Sequence, residues 1–229
     1  KDGLNWYSYC AGNPVNFVDP TGLDSYVLYD PNIFGQGTGE KYALQLETEL
    51  NNYYYNGEDK THLIPITNED YFVEKWNHIG RNGNSIEGVV LLFHANADAF
   101  EFSAHDDENI PTTYFFVSEI WKLTNSRQMD AIISLGCESA DTVGGVYDTN
   151  MAYEFAKKGI ANRVIASDGK VHHEIMTPWY GFGVWWPYYS IRADANPNGF
   201  KVYFKNNFNS PKTIGTSFNG IGALLNSAL

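Results

Sequence analysis

The chain has 229 residues, enough for one substantial core or for one domain with an appended segment. Its composition, 43% hydrophobic and 18% charged, is that of a globular protein, and a formal net charge of −12 with only 15 Lys and Arg argues against the clustered basic surface that nonspecific nucleic-acid binding needs. No apolar run reaches the roughly 18 residues of a membrane-spanning helix, no signal-peptide pattern opens the chain, and two cysteines, Cys10 and Cys137, make no disulfide framework.

Residues 1–23 differ from the rest. Gly3-Leu4-Asn5-Trp6-Tyr7-Ser8-Tyr9 leads into Asn13-Pro14-Val15-Asn16 and Asp19-Pro20-Thr21-Gly22-Leu23, where Pro and Gly punctuate short extended pieces and prevent a long helix. Beyond Leu23 the pattern alternates. Residues 25–29 read as a strand, 40–54 as a helix with Tyr42, Ala43, Leu46, Leu50 and Tyr53 at helical spacing, and 62–66 as a short strand despite Pro65. Asn68 reads as the cap of a helix through Ile79 bearing Tyr71, Phe72 and Trp76. An apolar run, Gly88-Val89-Val90-Leu91-Leu92-Phe93, ends at His94.

Residues 99–103 then suggest a small hairpin, and 113–123 a helix carrying Phe116, Val117, Ile120 and Trp121. A second apolar run, Ala131-Ile132-Ile133-Ser134-Leu135-Gly136, ends at Cys137. A helix over 150–158 stopped by Gly159 and a strand over 163–166 follow. From Val171 the periodicity fades; residues 179–189 are rich in Gly, Pro and aromatics, and 201–204 with 217–225 suggest a last strand and helix. Strands separated by helices imply crossovers, and so an α/β fold with a mainly parallel sheet covered by helices on both faces.

Ligands of an open parallel sheet bind outside the carboxyl ends of its strands, where His94 and Cys137 both fall if their strands are neighbours. An unperturbed cysteine is mostly thiol at neutral pH and needs a base beside it to act as a nucleophile, so the pair points to thiol chemistry. Cys137 alone would read as a buried structural thiol. Asn96 and Asp98 lie close enough in sequence to orient His94, although solvated loop positions account for them better. His172-His173-Glu174 with His105 lacks metal-ligand spacing and reads as exposed polar surface, so no metal site is expected. His62 and His78 read as structural, and Gly144-Gly145 as a flexible loop without the Gly-Lys-Ser/Thr of a phosphate cradle.

The tail motifs resemble the end of the core of RHS repeat-associated proteins, a Gly-Leu-Asn-x-Tyr-x-Tyr stretch followed by Asn-Pro-Val-Asn and Asp-Pro-x-Gly-Leu. That resemblance implies a boundary, with 1–23 the end of the core and 24–229 the effector. It further implies a self-processing junction in which Asp19 is the aspartate of an aspartyl site and the cut follows Leu23. It implies delivery from a secreted or cell-surface RHS shell into a target cell, and a cognate immunity protein as partner.

The body, over about residues 86–170, resembles the caspase-like cysteine peptidases. The resemblance rests on Val89-Val90-Leu91-Leu92-Phe93-His94, on Ile132-Ile133-Ser134-Leu135-Gly136-Cys137-Glu138-Ser139, and on the pair of segments Met151-Ala152-Tyr153-Glu154-Phe155-Ala156 and Arg163-Val164-Ile165-Ala166-Ser167-Asp168-Gly169. The 43-residue separation of His94 and Cys137 is close to the roughly 50 of such enzymes. It implies a three-layer caspase-like fold and a peptidase acting on protein or peptide substrates, with His94 and Cys137 catalytic and the backbone amides of Ala95 and Cys137 forming an oxyanion hole. Asp168 would line the specificity pocket and could select a basic residue, and the 179–186 segment would follow it. No cofactor is required by this chemistry. Ala95 stands where these peptidases usually carry Gly after the histidine, and their Gln-Ala-Cys pentapeptide is missing. The competing expectations are a catalytically silent caspase-like binding module, and another effector enzyme, such as a nucleotide-modifying toxin, carried behind the same shell.

Overall fold

A computed structural model describes residues 23–35, 37–55, 57, 60–80, 85–102, 112–141, 150–176, 188–193 and 199–229. Thirteen strands and four α-helices follow Leu23 among these residues. Seven strands form one mixed sheet in the order β2-β1-β3-β7-β8-β11-β12, from β1 (Asp24–Tyr29), β2 (Thr61–Pro65), β3 (Ile86–Leu92), β7 (Met129–Ser134), β8 (Ala161–Ser167), β11 (Phe200–Phe204) and β12 (Asn207–Gly215). The five strands from β2 to β8 run parallel, while β11 is antiparallel to β8 and β12 to β11. The α/β expectation of a mainly parallel sheet therefore describes the observed order.

The continuous apolar runs of β3 and β7 follow from burial on both faces. Val89, Leu91 and Phe93 enter one core with Phe72 and Trp76 of α2 (Glu69–His78) and Phe155 of α3 (Met151–Lys158). Val90 and Leu92 alternate to the other face, with Ala43, Leu46 and Leu50 of α1 (Thr38–Tyr55) and Leu224 of α4 (Ile221–Ser227). On the first face Phe72 is the hub, its ring 5.1 Å from Phe115, 5.5 Å from Phe102 and 5.7 Å from Phe93. Each such fully buried ring contributes roughly 2–3 kcal/mol of transfer free energy.

Helix ends lie where the capping residues set them. Asn68 accepts the Tyr71 N–H at 2.9 Å and Asn150 the Tyr153 N–H at 2.8 Å, and Gly159 closes α3 at φ 73°. Three expectations change. The histidine run breaks after Leu92, and His94 begins β4 (His94–Ala95), the first strand of a small antiparallel sheet with β5 (Ala99–Phe102) and β6 (Thr113–Phe116). Residues 113–123 are therefore not one helix but β6 followed by a 3-10 turn at Val117–Lys122, because pairing with β5 outweighs helical spacing in a Thr-Tyr-Phe-Phe stretch. Past Val171 the chain forms β9 (Val171–Met176) and β10 (Tyr188–Ala193), which pair antiparallel and continue to β13 (Ser217–Asn219).

Candidate functional site

The parallel register of β3 and β7 sets Leu91 against Ser134, and the Leu135 N–H donates to the Leu91 carbonyl at 2.9 Å. Counted from that register pair, His94 and Cys137 each lie three residues further on, His94 in β4 and Cys137 in the turn after β7. Gly136 draws the two ends together. A Cβ there would overlap the Ala95 methyl and stand 3.0 Å from the Phe93 carbonyl oxygen and 3.4 Å from the Ala95 nitrogen. The glycine is needed for space, and that space accommodates Ala95 immediately after the histidine.

Cys137 is not in the strand but in the turn that follows it, and its side chain is half-buried. The turn is fastened from three sides. Ser134 Oγ donates to Ser139 Oγ at 3.0 Å, and Ser139 Oγ to the Gly136 carbonyl at 3.2 Å. The Glu138 N–H reaches the Gly169 carbonyl at 2.9 Å, and the Ala140 N–H reaches Ser167 at 2.8 Å, tying the turn to the carboxyl end of β8. Glu138 holds φ at 55°, a left-handed conformation costing an ordinary L-residue about 1–2 kcal/mol, so neighbouring contacts maintain strain beside the thiol.

The first residue of β9 reaches back to the sulfur, the Val171 N–H donating to Cys137 Sγ at 3.3 Å. A thiolate accepts such a bond more strongly than a thiol. Two residues on, the His173 ring hydrogen-bonds the Leu135 backbone, and burial together with the nearby His172 and His94 pushes its pKa well below the ordinary histidine value. His173 is thus a neutral imidazole beside His94. Phe34, in the loop after β1, links the two: its ring centre is 4.9 Å from that of His173 and 6.4 Å from that of His94, the latter edge-on at 74°. Tyr42 of α1 packs 4.8 Å from Phe34.

The backbone of β4 presents an N–H toward this place. His94 pairs with Glu101 and Ala95 with Phe100, and the Asn96 N–H donates to Ala99 at 3.0 Å. Antiparallel bonds alternate along a strand, so the Ala95 N–H turns to the opposite edge, where Gly136 lies.

The other candidate residues have structural partners. Asn96 Oδ1 accepts from the Asp98 and Ala99 amides at 2.9 Å each, and the Asp98 carbonyl from Val117 at 2.7 Å, so both residues build the β4–β5 turn. Asp168 is 1% exposed, and its carboxylate pairs with Lys201 of β11 at 2.6 Å. His62 lies 3.4 Å from Asp24, and His78 Nδ1 is 2.6 Å from the Glu74 carbonyl. Among the described residues no group of three His, Cys, Asp or Glu could hold a metal ion, and no helix is long and apolar enough to cross a membrane. Asp19, His105, Gly144, Gly145 and the 179–186 segment lie outside the described residues; Leu23 is the first described residue, directly ahead of β1.

His173 overturns the expectation of an exposed His-His-Glu surface. His172 and Glu174 are exposed, whereas Val171, His173 and Ile175 turn inward on alternate positions of β9. That alternation was the available signal, obscured because histidine is not counted as apolar. No known family model matches the chain, and no curated protein matches it.

Proposed function

We propose that residues 24–229 form a three-layer, caspase-like cysteine endopeptidase working through the His94–Cys137 pair. The observation that supports this is the close approach of Gly136 to Ala95, the residues next to Cys137 and His94 in the chain, just beyond the carboxyl ends of β7 and β3. Helices against both faces of a mainly parallel sheet support the fold half of the reading.

In this scheme the Cys137 thiolate attacks a peptide carbonyl carbon, forming the C–S bond. The amides of Ala95 and Cys137 donate to the oxyanion, and His94 gives its proton to the departing amine as the C–N bond breaks. Water, deprotonated by His94, then attacks the thioester and releases the acid, and the thiolate is restored. Orphaning one oxyanion donor in sites of this type costs about 100-fold to 1000-fold in turnover. The Val171 N–H on Sγ is a donor that would stabilise the thiolate the reaction needs.

The RHS-like tail supports a biological setting in which this peptidase is the toxin at the end of an RHS shell, released after Leu23 by a site containing Asp19, active in a target cell and neutralised by an immunity protein. Expression of 24–229 in a susceptible cell tests both levels. The wild-type chain should arrest growth and Cys137→Ser should not, at equal thermal stability; arrest by Cys137→Ser would favour a binding module or another enzyme.

A further inference from the structure

Phe34 is a large apolar side chain left 39% exposed, yet it is held in place. Its neighbour Ile33 is 2% exposed, the Asn32 N–H donates to Asp30 Oδ1 at 2.8 Å, and the Gly35 N–H donates to the Asn32 carbonyl at 2.9 Å. Gly39, at the start of α1, packs so tightly on the Asp30 carbonyl that no Cβ fits there. A fixed ring with a wet face beside a nucleophilic pair is an arrangement for contact rather than for core packing.

We propose that Phe34, backed by Tyr42 and His173, is the shelf that receives the substrate side chain on the residue whose carbonyl Cys137 attacks, and that it selects a large, uncharged, apolar side chain. The inference rests on the peptidase reading above and names its substrate class. Three observations carry it. The Phe34 ring lies edge-on to His94 at 6.4 Å between centres and 4.9 Å from His173, so it borders the imidazole of the pair. His173 is held neutral by burial and by the nearby histidines, so this wall offers no cation to a carboxylate. Asp168 is 1% exposed and already pairs with Lys201, so the acid that the sequence offered for a basic side chain holds a cation of the protein itself.

The test compares fluorogenic peptides that differ only in the residue preceding the cleaved bond: Phe, Leu, Asp or Arg. Wild-type protein should prefer Phe and Leu. Phe34→Ala should lower kcat/KM for the Phe peptide by roughly 10-fold to 100-fold while barely changing the Asp and Arg peptides. Phe34→Glu should shift preference toward Arg, and circular dichroism should find both variants folded at the assay temperature, their Tm lowered only by the packing lost on Tyr42 and His173. A wild-type preference for Asp or Arg, or an unchanged profile in Phe34→Ala, overturns the shelf while leaving the peptidase intact. Failure of wild type to cleave any peptide refutes the peptidase reading and the shelf with it.

Discussion

Replacing Gly136 by alanine tests whether steric fit, rather than backbone freedom, brings the two strand ends together. The added methyl would overlap that of Ala95 and press on the Phe93 carbonyl at 3.0 Å, and neither the β3 nor the β7 end can retreat without breaking the bond from Leu135 to Leu91. Overpacking of this kind costs about 1–3 kcal/mol, which in a chain of this size lowers Tm by about 2–12 °C. Turnover should fall further than stability, because a misplacement near 1 Å between reacting groups costs about 100-fold. The partner substitution makes the prediction specific: Ala95→Gly removes the methyl that Gly136→Ala meets, so the double variant should regain most of the lost Tm and activity. Thermal unfolding by circular dichroism and peptide turnover, arranged as a double-mutant cycle, read the coupling. A single variant with wild-type Tm and turnover, or a double variant no better than the single, would refute the account of how the site is assembled.

Four further outcomes are expected. Iodoacetamide should modify Cys137 faster in wild type than in His94→Ala near neutral pH, as followed by intact mass; equal rates would mark the thiol as merely structural. Because the folded-state pKa of His173 is depressed, the unfolded chain binds the extra proton first as pH falls. Its contribution is therefore whole above pH 6.5 and is lost between pH 6.5 and about 3, at up to about 1.4 kcal/mol per pH unit; Tm measured against pH should fall less steeply in His173→Gln over that window. Asp168→Ala strands Lys201, which is 12% exposed, and should cost about 3–5 kcal/mol in denaturant unfolding; a loss below 1 kcal/mol would show the pair to be dispensable. If the domain boundary follows Leu23, as the RHS-like motifs imply, residues 24–229 alone should melt within about 2 °C of the whole chain, and a larger fall would refute that boundary.

The sheet and its helices were legible wherever local chemistry decided them. Asn68, Asn150 and Gly159 mark helix ends through bonds made within a few residues, and the runs of β3 and β7 are continuous because both faces are covered. His94 and Cys137 stood out because each follows such a run. Where distant pairing decided the outcome, the pattern misled. Thr113-Tyr114-Phe115-Phe116 has helical spacing but joins β5, and β9 carries two histidines in place of an apolar alternation. Phe34 and His173 meet only because the β1 loop packs on β9, whose first residue bonds the thiol, contacts that no local spacing encodes.

The most direct test of the central claim is covalent capture of the nucleophile by a peptidyl acyloxymethyl ketone, which requires an activated thiol in a peptide-binding cleft. Peptide mapping by mass spectrometry should find one thioether, on Cys137, formed in wild type, absent in Cys137→Ser and at least 100-fold slower in His94→Ala. Labelling that ignores His94, or that falls on another residue while peptide cleavage persists in Cys137→Ser, would contradict the account.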